Sequence, residues 1–320
     1  MFSNFLRPIL VRLMLLMHNV ILLPCKIVLT RLLIPYSKDS EYKIKTYNSK
    51  LPRNVEVNDE DSFLENAIFT CYFVNKKDPL HGITRLSGDI NYMRPWYESI
   101  NRLSINGIVF HDGLENDFIE KYQTQFVRFR KCQLGDYSIF EERWIVFYMF
   151  LSKTNIQRAF FCDIQDVHIK SNPFKLNMEK FCLFVGRDDA NKIRLSPWMR
   201  EEINIFKKDS GLPIQKPFYY QPVFNPGVLG AARDILLYCL QKMIKLTFCT
   251  STSDHKDMTL INLVIYKYFP VRLYYRTDEP YKTNFLDDKW SSNRWIKTGY
   301  SLNSEYKKYD LSSDACFMHK

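Results

Sequence analysis

Arg158 to Phe174, RAFFCDIQDVHIKSNPF, sets a short apolar run, Ala159 to Cys162, directly before two acids, Asp163 and Asp166. A continuous apolar run of strand length is the pattern of a strand covered on both faces, as in a parallel α/β sheet. Ligands of such sheets gather beyond the carboxyl ends of the strands. The run therefore buries itself and carries its two carboxylates to the place where a pocket opens. Two carboxylates three residues apart can converge there on one hard cation, with oxygen donors that suit Mg2+ or Mn2+. The competing reading gives Asp163 to the turn's own backbone and leaves Asp166 as a solvated loop charge.

Outward from this stretch, strand and helix patterns alternate. Asn66 to Val74, NAIFTCYFV, is β-branched and aromatic and ends at the turn signal NKKDP. Met93, Trp96, Tyr97, Ile100 and Leu103 recur at three- and four-residue steps and predict a helix. Ile105 to Gly113 reads as a second buried strand, and Ser138 to Lys153 as a helix capped by Ser138 with Glu141 or Glu142 in its first turn. Phe181 to Gly186 completes four strands. Such alternation predicts an α/β sandwich around a mostly parallel sheet flanked by helices.

The net charge of +10 is concentrated at the front: residues 1–53 hold nine basic and two acidic residues, +7, and the rest, with 36 basic and 33 acidic, is only +3. A nucleic-acid partner is not expected of a folded body so nearly neutral and without a groove-reading motif. Residues 1–36, rich in Leu, Ile, Val and Met with interspersed Arg and Lys, read as a hydrophobic, basic helix. Its longest uncharged run, Leu13 to Cys25, is shorter than the roughly 20 residues that span a bilayer. A signal anchor, a helix lying on an anionic surface and a helix packed on the body all remain open, and membrane association is the expectation. No small-residue cleavage site follows the apolar part, which argues against a cleaved signal peptide. Residues 37–62 are polar and aperiodic and read as a linker, so the folded domain is expected over 63–320. The eight cysteines include no CxxC pair, and zinc is not indicated. No Asn-x-Ser/Thr sequon occurs, a mild argument against a lumenal location.

The segment FFCDIQDVHIKSNPF resembles the metal-binding stretch of nucleotide-sugar-dependent glycosyltransferases of the GT-A fold, in which a hydrophobic strand runs into Asp-x-Asp and a later Asn-Pro-Phe. Asp166 with Asn172-Pro173-Phe174 matches the second motif acid and its landmark. Asp163 departs from the pattern, giving Asp-Ile-Gln-Asp. The resemblance covers roughly residues 66–269 and implies a GT-A-like Rossmann-type sandwich, with Asp163 and Asp166 as ligands of Mn2+ or Mg2+. It implies transfer of a monosaccharide from a UDP- or GDP-sugar to a hydroxyl of a glycan, glycolipid or glycoprotein.

By the same resemblance Tyr72 and Asn75 contact the nucleoside and Arg143 assists the phosphates, although an exposed Arg143 paired with a nearby Glu reads equally well. YYQPVFNPGVLGAARDILLYCLQKM is similar to the acceptor-side loop, with a tight turn at Asn225-Pro226-Gly227, where Gly227 and Gly230 let backbone approach a sugar. TSDHKDMTLINLVIYKYF is similar to the segment that sets an acid near donor sugar or acceptor hydroxyl. If the anomeric centre is inverted, Asp257 is the first candidate base, with Asp254 and Asp188 behind it, whereas retention needs no base in that place; Asp254 alternatively caps the helix Met258 to Tyr268. Two other readings stay open: a nucleotidyltransferase, which usually carries a glycine-rich phosphate loop unlike VNKKDPLHG, and a non-catalytic, membrane-attached transferase fold. A Golgi or ER type II protein and a virus-encoded or microbial cytoplasmic enzyme both accord with the Lys-, Asn- and Tyr-rich, Gly-poor usage.

Overall fold

A computed structural model describes residues 54–175, 183–187, 192–214, 216–221, 223–251, 254–268, 296–297 and 316–319. The expected helix in residues 1–36, most of the stretch read as a linker, and Asp188 lie outside the described residues. In chain order the elements are β1 (Asn54–Val55), β2 (Asn66–Tyr72), α1 (Ile90–Leu103), β3 (Gly107–His111), α2 (Asn116–Tyr122), β4 (Val127–Gln133), α3 (Ile139–Lys153), β5 (Arg158–Cys162), β6 (Val167–Ile169) and β7 (Leu183–Arg187). They continue with α4 (Pro197–Ser210), β8 (Phe224–Ala232), α5 (Arg233–Thr247), α6 (Asp257–Tyr268), β9 (Ile296–Lys297) and β10 (Phe317–His319). Among the described residues no helix is long and apolar enough to cross a membrane.

The central sheet has seven strands in the order β1-β4-β3-β2-β5-β8-β7. Strands β4, β3, β2 and β5 run parallel, β8 is antiparallel to both its neighbours, and β7 thus shares the direction of β5. The molecule is a mixed α/β sandwich with helices on both faces of this sheet. Strand alternation explains the run Ala-Phe-Phe-Cys. Phe161 points to one face, where it stacks on Phe147 of α3 at 4.6 Å and on Phe69 at 5.4 Å. Phe160 points to the other, into the cluster of Ile68, Val109 and the α1 residues Met93, Trp96 and Ile100. Each fully buried ring of this kind contributes roughly 1.5–3 kcal/mol of hydrophobic stabilisation.

Two expectations are corrected. The folded body begins within the stretch read as linker: Asn54 and Val55 pair with Gln133 and Cys132 on β4. A 3-10 turn then presents Asp61 to Arg130, with Nε to Oδ2 and Nη2 to Oδ1 both at 2.7 Å. A polar sequence joins the fold here because its acid meets a buried guanidinium. The second correction concerns Asn225-Pro226-Gly227, which is no hairpin turn but part of β8. The pairing of β8 with β7 jumps from Leu229–Val185 to Asn225–Gly186, so Pro226 sits in a bulge, where its missing N–H breaks no ladder bond. A Cβ on Gly230 would lie 2.1 Å from the ring of Phe160, so close strand packing, not a sugar, requires that glycine.

Ser138 caps α3 as its sequence predicts, its hydroxyl accepting from the Phe140 amide at 3.3 Å. Asp254 does not cap α6, which starts at Asp257. The amides at that end donate to carboxylates of other helices, Lys256 N to Glu141 Oε1 at 2.5 Å and Thr259 N to Glu202 Oε2 at 2.8 Å. This fixes the first turn of α6, and with it Asp257, against α3 and α4.

Candidate active site

At the carboxyl end of β5 the ladder continues one bond further, Asp163 N donating to Gly227 O at 2.9 Å, before the chain bends into β6. Strand β10 pairs antiparallel with β6 and brings His319 opposite Val167. One donor atom from each of Asp163, Asp166 and His319 falls within 4.8 Å of the others. His319 Nε2 lies 3.6 Å from Asp163 Oδ2 and 3.8 Å from Asp166 Oδ2. The imidazole ring rests on Gly227, where an added Cβ would lie 2.1 Å from Cε1.

Arg143, from the second turn of α3, joins two other elements. Its Nη1 bonds Asp163 Oδ1, and its Nη2 donates to Asp257 Oδ2 at 2.6 Å. The guanidinium also lies 4.4 Å over the Trp144 ring. Burial penalises its charge, but Asp163 and Asp257 overcome that and raise its pKa. Burial by itself would raise Asp163, yet Arg143 and His319 hold its carboxyl well below the usual range. Asp166 moves the other way, raised by burial and then by the charge of Asp163. Burial also raises Asp257, against the pull of Arg143. Burial disfavours protonated His319, but Asp163 and Asp166 reverse this and raise its pKa.

These groups line a cavity of about 290 Å³. Behind Asp257, His255 pairs with Glu202 at 3.2 Å and stacks on Trp198 with ring centroids 5.8 Å apart. Further lining comes from the loop between β2 and α1. There Asp78, nearly buried, accepts from the Leu80 amide at 2.9 Å, from His81 Nδ1 at 2.7 Å and from Arg85 Nη2 at 2.8 Å. Arg85 in turn lies 4.7 Å over the ring of Tyr92, whose hydroxyl pKa is raised by burial, opposed by Arg85 and reinforced by Asp163.

The sequence-predicted residues divide. Asp163, Asp166, Arg143, Asn225 and Asp257 all line this cavity, and Asp254 lies outside the lining with its side chain exposed. Asn225 Oδ1 accepts from the Gly227 amide at 2.8 Å, inside its own bulge. Tyr72 is fully buried and donates to the carbonyls of Leu86 at 2.7 Å and Asp89 at 3.1 Å; the cavity receives its strand neighbours Cys71 and Phe73 instead. Asn75 donates to the Asp112 carbonyl at 2.8 Å and lines a second cavity of about 580 Å³. The two acids of that larger cavity, Asp112 and Glu56, accept backbone amides of Val74, Asn75 and Lys131, so the reactive grouping belongs to the smaller one. His319 carries no signal in its own segment; only the pairing of β10 with β6 brings it to the acids.

No family model and no curated protein matches the chain by sequence. Among solved structures it is similar to the galactosyltransferase LgtC in complex with donor and acceptor sugar analogs, at 12% identity and a TM-score of 0.40, over 79% of this chain and 86% of that one. It is also similar to the apo-form glycosyltransferase GlyE of Streptococcus pneumoniae TIGR4, at 13% identity and a TM-score of 0.42, over 80% of this chain and 54% of that one. Likeness this loose leaves the chemistry of the site to its own residues.

Proposed function

We propose that the protein is a metal-dependent glycosyltransferase that moves a monosaccharide from a UDP- or GDP-sugar to a hydroxyl of a glycan, glycolipid or glycoprotein. The observation that carries this is the convergence of Asp163, Asp166 and His319 beside the buried Asp257 on one cavity. The donor set fits a divalent ion: two carboxylate oxygens and an imidazole nitrogen within reach of each other, with His319 Nδ1 buried and without a hydrogen-bond partner among the described residues. The imidazole favours Mn2+ over Mg2+, which prefers oxygen donors and water. Held there, the ion supplies Lewis-acid neutralisation of the diphosphate leaving group.

The chain's own residues do the rest. Arg143 is committed to Asp163 and Asp257, so its role is to fix two acids at a set separation rather than to meet the phosphates. Asp257, with its raised pKa, is the group to accept the proton of an attacking acceptor hydroxyl as the anomeric carbon leaves the diphosphate oxygen. Trp198 and His255 form an aromatic edge beside it. Membrane association through residues 1–36 remains part of the proposal, as a means of reaching lipid-linked or membrane-bound acceptors.

The test is to incubate the protein and Mn2+ with UDP- and GDP-sugars and a panel of free glycans, glycolipids and glycopeptides, and to seek the mass of one added monosaccharide. Asp257→Asn should keep donor binding and lose transfer at least a hundredfold, the scale of a missing general base. Products in which a nucleotidyl group is added would favour the nucleotidyltransferase reading instead.

A further inference from the structure

Four acids, Asp78, Asp163, Asp166 and Asp257, line the cavity, against the guanidinium groups of Arg85 and Arg143. Arg143 spends both of its terminal nitrogens on Asp163 and Asp257. Arg85 is not engaged to the same degree. Its Nη2 meets Asp78 at 2.8 Å, with His81 Nδ1 at 3.5 Å, its Nε is buried without an acceptor among the described residues as that of Arg143 is, and a single carboxylate, not two, holds its fork. Asp78 does not need Arg85 for its own satisfaction, since the Leu80 amide and the His81 amide and ring already surround its carboxylate. The loop is also held independently, by Asp78 N to Ile83 O and Gly82 N to Asp78 O, both at 2.8 Å, and by the Lys77–Thr84 bridge. Tyr92 supports the flat side of the guanidinium, so the fork is positioned before any ligand arrives.

Resting on the transferase reading, we propose that Arg85 is the diphosphate clamp of the donor site, in the cavity it shares with Asp163, Asp166 and His319. A diphosphate in this cavity meets both the cation site and a planar guanidinium, whose charge-assisted bonds suit phosphate oxygens. Substrate class follows: the donor is held through its diphosphate, and a sugar monophosphate without the second phosphate loses one of the two grips.

The experiment measures binding of UDP, GDP and inorganic pyrophosphate to the full-length protein by calorimetry, with Mn2+ titrated separately, for wild type, Arg85→Gln and Arg85→Lys. Arg85→Gln should weaken all three phosphate ligands roughly ten- to hundredfold and leave Mn2+ affinity within twofold. Arg85→Lys, which keeps the charge but not the fork, should fall between. Equal affinity of the Gln variant and wild type overturns the clamp, as does parallel loss of Mn2+ binding, which marks a merely structural residue. Arg85-dependent pyrophosphate binding without turnover of any nucleotide sugar upholds the clamp and overturns the transferase. Turnover with an unchanged KM in Arg85→Gln does the reverse.

Discussion

Gly227 and His319 touch as backbone and ring: a side-chain carbon at position 227 would lie 2.1 Å from Cε1 and 2.4 Å from Nε2 of the imidazole. The bulge that carries Pro226 thus provides a floor without a Cβ on which the third metal-site residue rests. Gly227→Ala should push the ring away from Asp163 and Asp166. The expected outcome is Mn2+ affinity weakened tenfold or more by electron paramagnetic titration, the scale seen when ligand support is lost. The overpacking itself should lower stability by about 1–3 kcal/mol in urea denaturation. Unchanged Mn2+ affinity would remove His319 from the site.

Glu141 is fully buried, and its carboxyl pKa is raised to about 7, first by burial and then by Asp257. A folded-state pKa above the unfolded value of 4.5 means stability that is present in full below pH 4.5 and lost as pH rises through about 7. The loss attributable to this group is on the order of 3 kcal/mol. Glu141→Gln can still accept the Lys256 amide and cannot titrate. Its stability relative to wild type should therefore climb between pH 4.5 and 7, as read from urea midpoints at a series of pH values. A parallel pH dependence in both proteins would refute the assignment.

Asp61 and Arg130 tie the first described strand to the sheet edge through two bonds of 2.7 Å, with both side chains almost wholly buried. Removing Asp61 leaves the buried Arg130 with only the more exposed Glu60, 2.5 Å from Nη2, as its counter-ion. Asp61→Ala should cost about 3 kcal/mol, the lower end for a broken buried pair because Glu60 remains, whereas Asp61→Ala with Arg130→Met should recover much of it. The double-mutant comparison by denaturant unfolding checks the pair directly.

Much of the sheet was legible because its signal is local. The run Ala159 to Cys162 had to be covered on both sides, and Phe160 and Phe161 divide between the two faces as period-two geometry requires. The helix cap at Ser138 and the acids at 163 and 166 were equally local. What escaped depends on partners distant in sequence. Asn-Pro-Gly is turn chemistry in isolation, and only pairing with β5 and β7 makes it a bulged strand. In sequence Tyr72 reads as a ligand contact, but alternation along β2 sends it into the core and its neighbours Cys71 and Phe73 to the cavity. Arg143 reads as an ordinary helix charge until Asp257, 114 positions later, closes on it.

The most direct measurement is nucleoside diphosphate released from UDP- and GDP-sugars with Mn2+ and with chelator, for wild type, Asp166→Ala and His319→Ala. The account predicts release from at least one donor that requires the metal and falls at least a hundredfold in both variants. Release that is indifferent to chelator and to both substitutions would contradict it.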